Sequence, residues 1–77
     1  MCAKMSHGVQ ITLNGDRFSV PEIAGPLTVS ELLSRLEIDA RRVAVEHNLI
    51  VLKRAAFADT LVRDGDRVEI VNFVGGG

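Results

Sequence analysis

At 77 residues the chain holds a single domain with a modest core, because a domain of this size buries only about 60% of the surface its unfolded chain exposes. Its 47% hydrophobic and 25% charged residues read as an ordinary soluble globular protein, and a net charge of −1 with both signs scattered leaves no basic patch for nucleic acid or an anionic membrane. Cys2 is the only cysteine, which excludes an intramolecular disulfide and a multi-cysteine zinc site and suits a reducing cytoplasm.

Met1 to Gly8 shows no periodicity and no apolar stretch of a secretory signal, so it reads as a short flexible lead-in. Val9, Ile11 and Leu13 then alternate with Gln10 and Thr12, and after Asn14-Gly15 the alternation resumes at Phe18 and Val20. That pattern predicts a β-hairpin, since Asn-Gly suits a turn with positive φ at both central positions. Beyond the break from Pro21 to Pro26, Val29, Leu32, Leu33 and Leu36 fall at i, i+3, i+4 and i+7, the stripe of an amphipathic helix of about three turns. Thr28 as N-cap with Glu31 at N3 makes a capping box, and Leu27 with Leu32 makes a hydrophobic staple beside it. Ile38 to Ala40 either continues this helix or forms a separate turn.

Val43-Ala44-Val45 and Leu49 to Leu52 are β-prone runs around Glu46-His47-Asn48, with Asn48 suited to a turn. Lys53 to Arg63 is irregular, with Phe57 and Leu61 as expected core anchors; Asp64-Gly65-Asp66 is a tight turn, and Arg67 to Phe73 is the last strand. No run approaches the roughly 20 apolar residues of a membrane-spanning helix. The order β-β-α-β-β-β, with a helix that must bury its stripe against a sheet and a right-handed crossover that sets the final strand beside the first, predicts an α+β fold. The expected arrangement is a ubiquitin-like β-grasp, with a mixed sheet of four to five strands and one main helix on one face. The expected division is a lead-in at 1–8, the domain at 9–74 and a flexible glycine tail at 75–77.

The tail Gly75-Gly76-Gly77 supplies no side-chain chemistry, only a backbone without Cβ, thin enough to enter a narrow cleft. If it works, its reactive group is the carboxylate of Gly77. An α-carboxyl with a pKa of about 3.5 is ionised at neutral pH and is a poor electrophile, so it needs activation, for which adenylation by ATP would serve. On composition alone the same glycines are equally a frayed end.

From Val9 to Gly77 the chain resembles the ThiS family, the sulfur carriers of thiamine biosynthesis. The resemblance rests on Asn14-Gly15, on Thr28-Val29 with Glu31-Leu32-Leu33, on Val43-Ala44-Val45-Glu46 followed by Asn48, and on Ile50-Val51 with Arg54. It continues through Asp64-Gly65-Asp66-Arg67-Val68-Glu69-Ile70-Val71 and ends in Phe73-Val74-Gly75-Gly76-Gly77. What it implies is a carrier without catalytic residues, cofactor or metal of its own, a monomer when alone. An E1-like adenylyltransferase, ThiF, would use Mg-ATP to form an acyl-adenylate on Gly77. A cysteine desulfurase would supply sulfur, and the Gly77 thiocarboxylate would serve the thiazole synthase ThiG. Met1 to Gly8 departs from many family members, which begin almost at the first strand.

In the last strand Val68 and Ile70 should face the helix, leaving Glu69, Val71 and Phe73 on the opposite face. Val71, Phe73 and Val74 are then a docking surface for the activating enzyme. His7 and His47 read as solvent-exposed rather than metal ligands, Arg41-Arg42 and Lys53-Arg54 as solvated charges that could meet an acidic partner, and Asp64 and Asp66 as turn formers. Three other functions fit less well. A MoaD-like carrier for molybdopterin usually has proline just before its diglycine, where Asn72-Phe73-Val74 stands here. A protein modifier that builds lysine-linked chains would find only Lys53 after residue 4, which leaves single conjugation, or a β-grasp module that only binds partners, as the forms of this second class. A self-sufficient enzyme lacks a visible nucleophile–base pair or phosphate-binding loop.

Overall fold

The computed structural model describes residues 8–21 and 26–72. Val9–Leu13 (β1) and Asp16–Val20 (β2) pair antiparallel, with Val9 opposite Val20 and Leu13 opposite Asp16. Asn14 and Gly15 between them take φ of 50° and 86°, the doubly positive turn that matches the twist of the strands. Asn14 does more than turn the chain. Its Oδ1 accepts from the Ile70 N–H at 2.7 Å and its Nδ2 donates to the Ile70 carbonyl at 3.2 Å, so the turn residue holds a strand 56 positions away.

Leu27–Thr28 forms a two-residue strand (β3) that pairs antiparallel with Leu61–Val62 (β6). The helix α1 follows at Val29–Arg35. As the sequence predicts, Thr28 is its N-cap, with Oγ1 accepting from the Glu31 N–H at 3.0 Å, and Leu27 and Leu32 are both buried beside it. The Glu31 carboxylate turns instead toward Arg35, at 3.6 Å. The helix is seven residues, shorter than the three turns expected, because a Schellman motif closes its end after Arg35. There the Glu37 N–H donates to the Ser34 carbonyl at 3.0 Å and the Ile38 N–H to the Leu33 carbonyl at 2.9 Å, with Glu37 at φ 60°. Ile38 to Ala40 is therefore not helix; Ala40–Arg42 forms a separate 3-10 turn.

A left-handed position costs a side chain with a Cβ about 1 kcal/mol, a cost glycine avoids. Replacing Glu37 with glycine should therefore raise stability by about 0.5–1 kcal/mol in urea unfolding, even though it loosens the unfolded chain. A loss of stability would mean that the Glu37 side chain holds the helix end.

Val43–His47 (β4) and Ile50–Leu52 (β5) pair antiparallel across Asn48 and Leu49, both at positive φ. A 3-10 turn at Arg54–Ala56 leads to Phe57 and then to β6; Gly65, at φ 88°, turns the chain into Arg67–Asn72 (β7). The sheet order is β2-β1-β7-β4-β5, with β1 and β7 parallel and the other pairs antiparallel. The chain is thus a β-grasp, as expected, with a mixed five-stranded sheet and the small β3–β6 pair beside it.

The apolar stripe of α1 packs on one face of the sheet: Val29, Leu32 and Leu33 join Ile11, Val20, Val43, Val45 and Val68, with Leu27, Phe57 and Val62 closing the core. No polar or charged side chain is buried there among the described residues. Phe57 is a core anchor as predicted, 3% exposed; Leu61 is not, at 37%. The place expected for Leu61 belongs to Val62, because successive residues of β6 point to opposite sides and Val62 is the one set against Leu27. No helix among the described residues is long and apolar enough to cross a membrane.

Candidate functional site at the end of the central strand

β7 occupies the middle of the sheet, hydrogen-bonded to β1 on one side and β4 on the other. Its alternation is the one the sequence predicts. Val68 is fully buried and Ile70 packs against the core, whereas Val71 points away from the helix and is 60% exposed. Ala44 stands opposite Val71 in the register, and Val51, also exposed, stands opposite Glu46, which in turn faces Glu69. The outer face thus carries apolar surface next to two carboxylates, a mixture suited to contact with another protein.

β7 ends at Asn72, in register with Val43. Phe73, Val74, Gly75, Gly76 and Gly77 lie outside the described residues, so of the predicted site residues the structure places Val71 alone. What it fixes for the others is their root. Asn72 stands level with the start of β4, at one end of the sheet and on its central strand.

Several ionisable side chains elsewhere are occupied in holding the fold. His47 is not solvent-exposed as expected: its side chain is 18% exposed, and its Nε2 lies 2.7 Å from Asp66 Oδ2. Asp66 also accepts from the Arg63 N–H at 2.8 Å and from Asn48 Nδ2 at 3.3 Å, while Asn48 Oδ1 accepts from the Arg67 N–H at 2.9 Å. Partial burial pushes the Asp66 carboxyl up, but the bonds from Arg63, His47 and Asn48 outweigh it and hold the carboxyl below its ordinary range. This network ties the β4–β5 turn to the turn before β7, at the opposite end of the sheet from Asn72. It accounts for Asp66 better than turn formation alone, and no residue-spacing signal could have paired it with His47.

Asp64 Oδ1 accepts from the Gln10 N–H at 2.6 Å, a long-range tie where only a local turn bond is expected. Asp39 caps the turn before β4, and its carboxyl is held down to about 2, first by the side-chain bond from Arg41 and then by the Arg41 N–H. No group of three or more His, Cys, Asp or Glu side chains that could hold a metal occurs among the described residues, and His7 lies outside them.

The ThiS family model matches residues 8–77, nearly the whole chain and all of the terminal glycines. The chain belongs to the ThiS family. A crystal structure of the thiamine biosynthesis protein ThiS from Geobacter metallireducens is 47% identical to this ThiS-family chain and superposes with a TM-score of 0.76 over 90% of it and all of that protein. A protein called ycf40 from Porphyra purpurea is 36% identical over 95% of this chain and 99% of its own length. The thiazole synthase of Paramagnetospirillum magneticum is 39% identical over 90% of this chain but only 20% of its own length. The ThiS-family chain therefore spans about a fifth of the thiazole synthase it matches.

Proposed function

We propose that this chain carries sulfur for thiazole formation in thiamine biosynthesis, with the carboxylate of Gly77 as the group that bears the sulfur. The observation that carries the reading is the family match running unbroken from residue 8 through residue 77, glycines included. A ThiF-like enzyme using Mg-ATP joins the carboxylate to AMP and releases pyrophosphate. Sulfur originating from a cysteine desulfurase then displaces AMP, leaving a thiocarboxylate. Unhindered glycyl carbon and a side-chain-free approach suit both steps.

A ThiG-like thiazole synthase is the acceptor in this reading. The occurrence of a similar segment within thiazole synthase polypeptides supports it, since fusion keeps a donor and its acceptor at high effective concentration. The same relatives favour thiazole over molybdopterin as the destination. Val71, Phe73 and Val74 form the docking surface next to the tail, and the carrier works in the cytoplasm as a monomer between encounters.

The test is intact-mass analysis after incubation with the activating enzyme, Mg-ATP and a sulfur donor. The expected product is heavier by the replacement of one oxygen by one sulfur, with the change confined to the C-terminal peptide. An unchanged mass with active partners would refute the carrier reading.

A further inference from the structure

The topology gathers two basic pairs that are far apart in sequence. Arg41 and Arg42 immediately precede Val43, the β4 residue in register with Asn72. Lys53 and Arg54 leave β5 just after Leu52, which faces Val45, so they emerge at the same end of the sheet. The Cα atoms of Asn72 and Val43 are about 5 Å apart across such a pair, and Lys53 lies about two strand spacings, roughly 10 Å, from β7. Residues 73–77 reach at most about 17 Å from Asn72. All four cations stand within that radius of the tail's root.

These side chains are presented to solvent. Arg41 and Arg42 are 79% and 81% exposed, and Lys53 and Arg54 are exposed as well. One carboxylate, Asp39, serves both arginines, at 3.1 Å from Arg41 and 3.6 Å from Arg42; neither Lys53 nor Arg54 makes an ion pair among the described residues. Glu37 is the other acid of this connection. Four cations against Glu37 and Asp39, with Asp59 the one acid in the connection that carries Lys53 and Arg54, leave this end positive on a chain whose net charge is −1. In the middle of the outer face the sign reverses at Glu46 and Glu69.

We infer that Arg42, Lys53 and Arg54, with Arg41 beside them, are the ionic part of the docking surface and meet an acidic rim on the activating enzyme as it takes the tail into its active site. The inference rests on the carrier reading. An enzyme that encloses residues 73–77 must approach the end of the sheet from which they start, so its cleft mouth covers these four side chains. Steering by such charges acts on encounter, and it weakens as salt screens it.

The test compares the Lys53→Glu/Arg54→Glu double variant with an Arg17→Glu/Arg63→Glu control, which changes the charge equally away from the tail. Circular dichroism establishes that each is folded, and the rate of ATP-dependent activation by the activating enzyme is measured against carrier concentration. The expected result is a rise of about tenfold in KM for Lys53→Glu/Arg54→Glu with kcat nearly constant, less than a twofold change for the control, and a wild-type KM that climbs with ionic strength. An unchanged KM in a double variant that is still activated overturns the inference and leaves the carrier reading intact. A fall in kcat at constant KM would place these cations on the nucleotide phosphates and overturn it too, and wild-type chain that is never activated overturns both.

Discussion

Removal of Gly77 is expected to abolish thiocarboxylate formation while leaving the thermal midpoint unchanged. The shortened chain still ends in a glycine carboxylate, at Gly76, so the chemistry of the end group is preserved and its position alone changes. In the proposed reaction that position is about 3.4 Å short of where the activating enzyme would hold the reacting carbon. A misplacement of even 1 Å costs about a hundredfold in rate, so loss by a hundredfold or more is expected in the mass assay. Folding should not notice, because glycine has no side chain to bury and the core is assembled from Ile11 to Val68. A truncated chain that still acquired sulfur at the wild-type rate would mean that the reacting group lies elsewhere, and a lowered midpoint would mean that the tail is part of the fold.

The largest effect on stability is expected at Leu32. It is fully buried, it opens the helix against Leu27, and its removal to alanine leaves a cavity walled by the helix and sheet. Such truncations cost about 2–5 kcal/mol. A domain of 77 residues is stable by about 4–12 kcal/mol in total, so Leu32→Ala should take away a large fraction of it and bring a visibly unfolded population near physiological temperature. Leu61→Ala is the internal comparison. Composition and hydropathy rate the two leucines equally, yet Leu61 is 37% exposed and its loss should cost below about 1 kcal/mol. Urea unfolding of both variants decides the matter; similar costs at the two positions would contradict the assignment of Val62, rather than Leu61, to the core.

These predictions also separate a folding role from a carrier role along one strand. Val68 and Val71 are three residues apart in β7, but the first is fully buried and the second is 60% exposed on the outer face. Their difference follows from strand alternation, with Val68 buried on the side of the helix. One face holds the sheet to its core, and the other, exposed at Val71, is the face proposed for docking.

Signals confined to a few neighbouring residues could be read directly. Asn14-Gly15 encodes its turn because both residues tolerate positive φ, Thr28 caps the helix because its hydroxyl reaches the N–H three residues on, and the alternation of β1 and β7 follows from one buried face. The helix length was not legible in the same way. Leu36 continues the apolar spacing, but Glu37 adopts a left-handed conformation in a motif for which its side chain gives no sign.

The amino-acid sequence by itself determined the β-grasp order, the helix start, the apolar outer position at Val71 and the family to which the terminal glycines belong. Only the tertiary structure decided that β3 pairs with β6, that His47 meets Asp66, that Val62 displaces Leu61 from the core, and that Arg41-Arg42 and Lys53-Arg54 share one end of the sheet with the root of the tail. The division has a physical cause. Turns, caps and alternation are set by interactions over one to four residues, whereas these pairings join positions 11 to 35 residues apart. Their energy appears only after the intervening chain has closed, and no local pattern records which distant partner is waiting there.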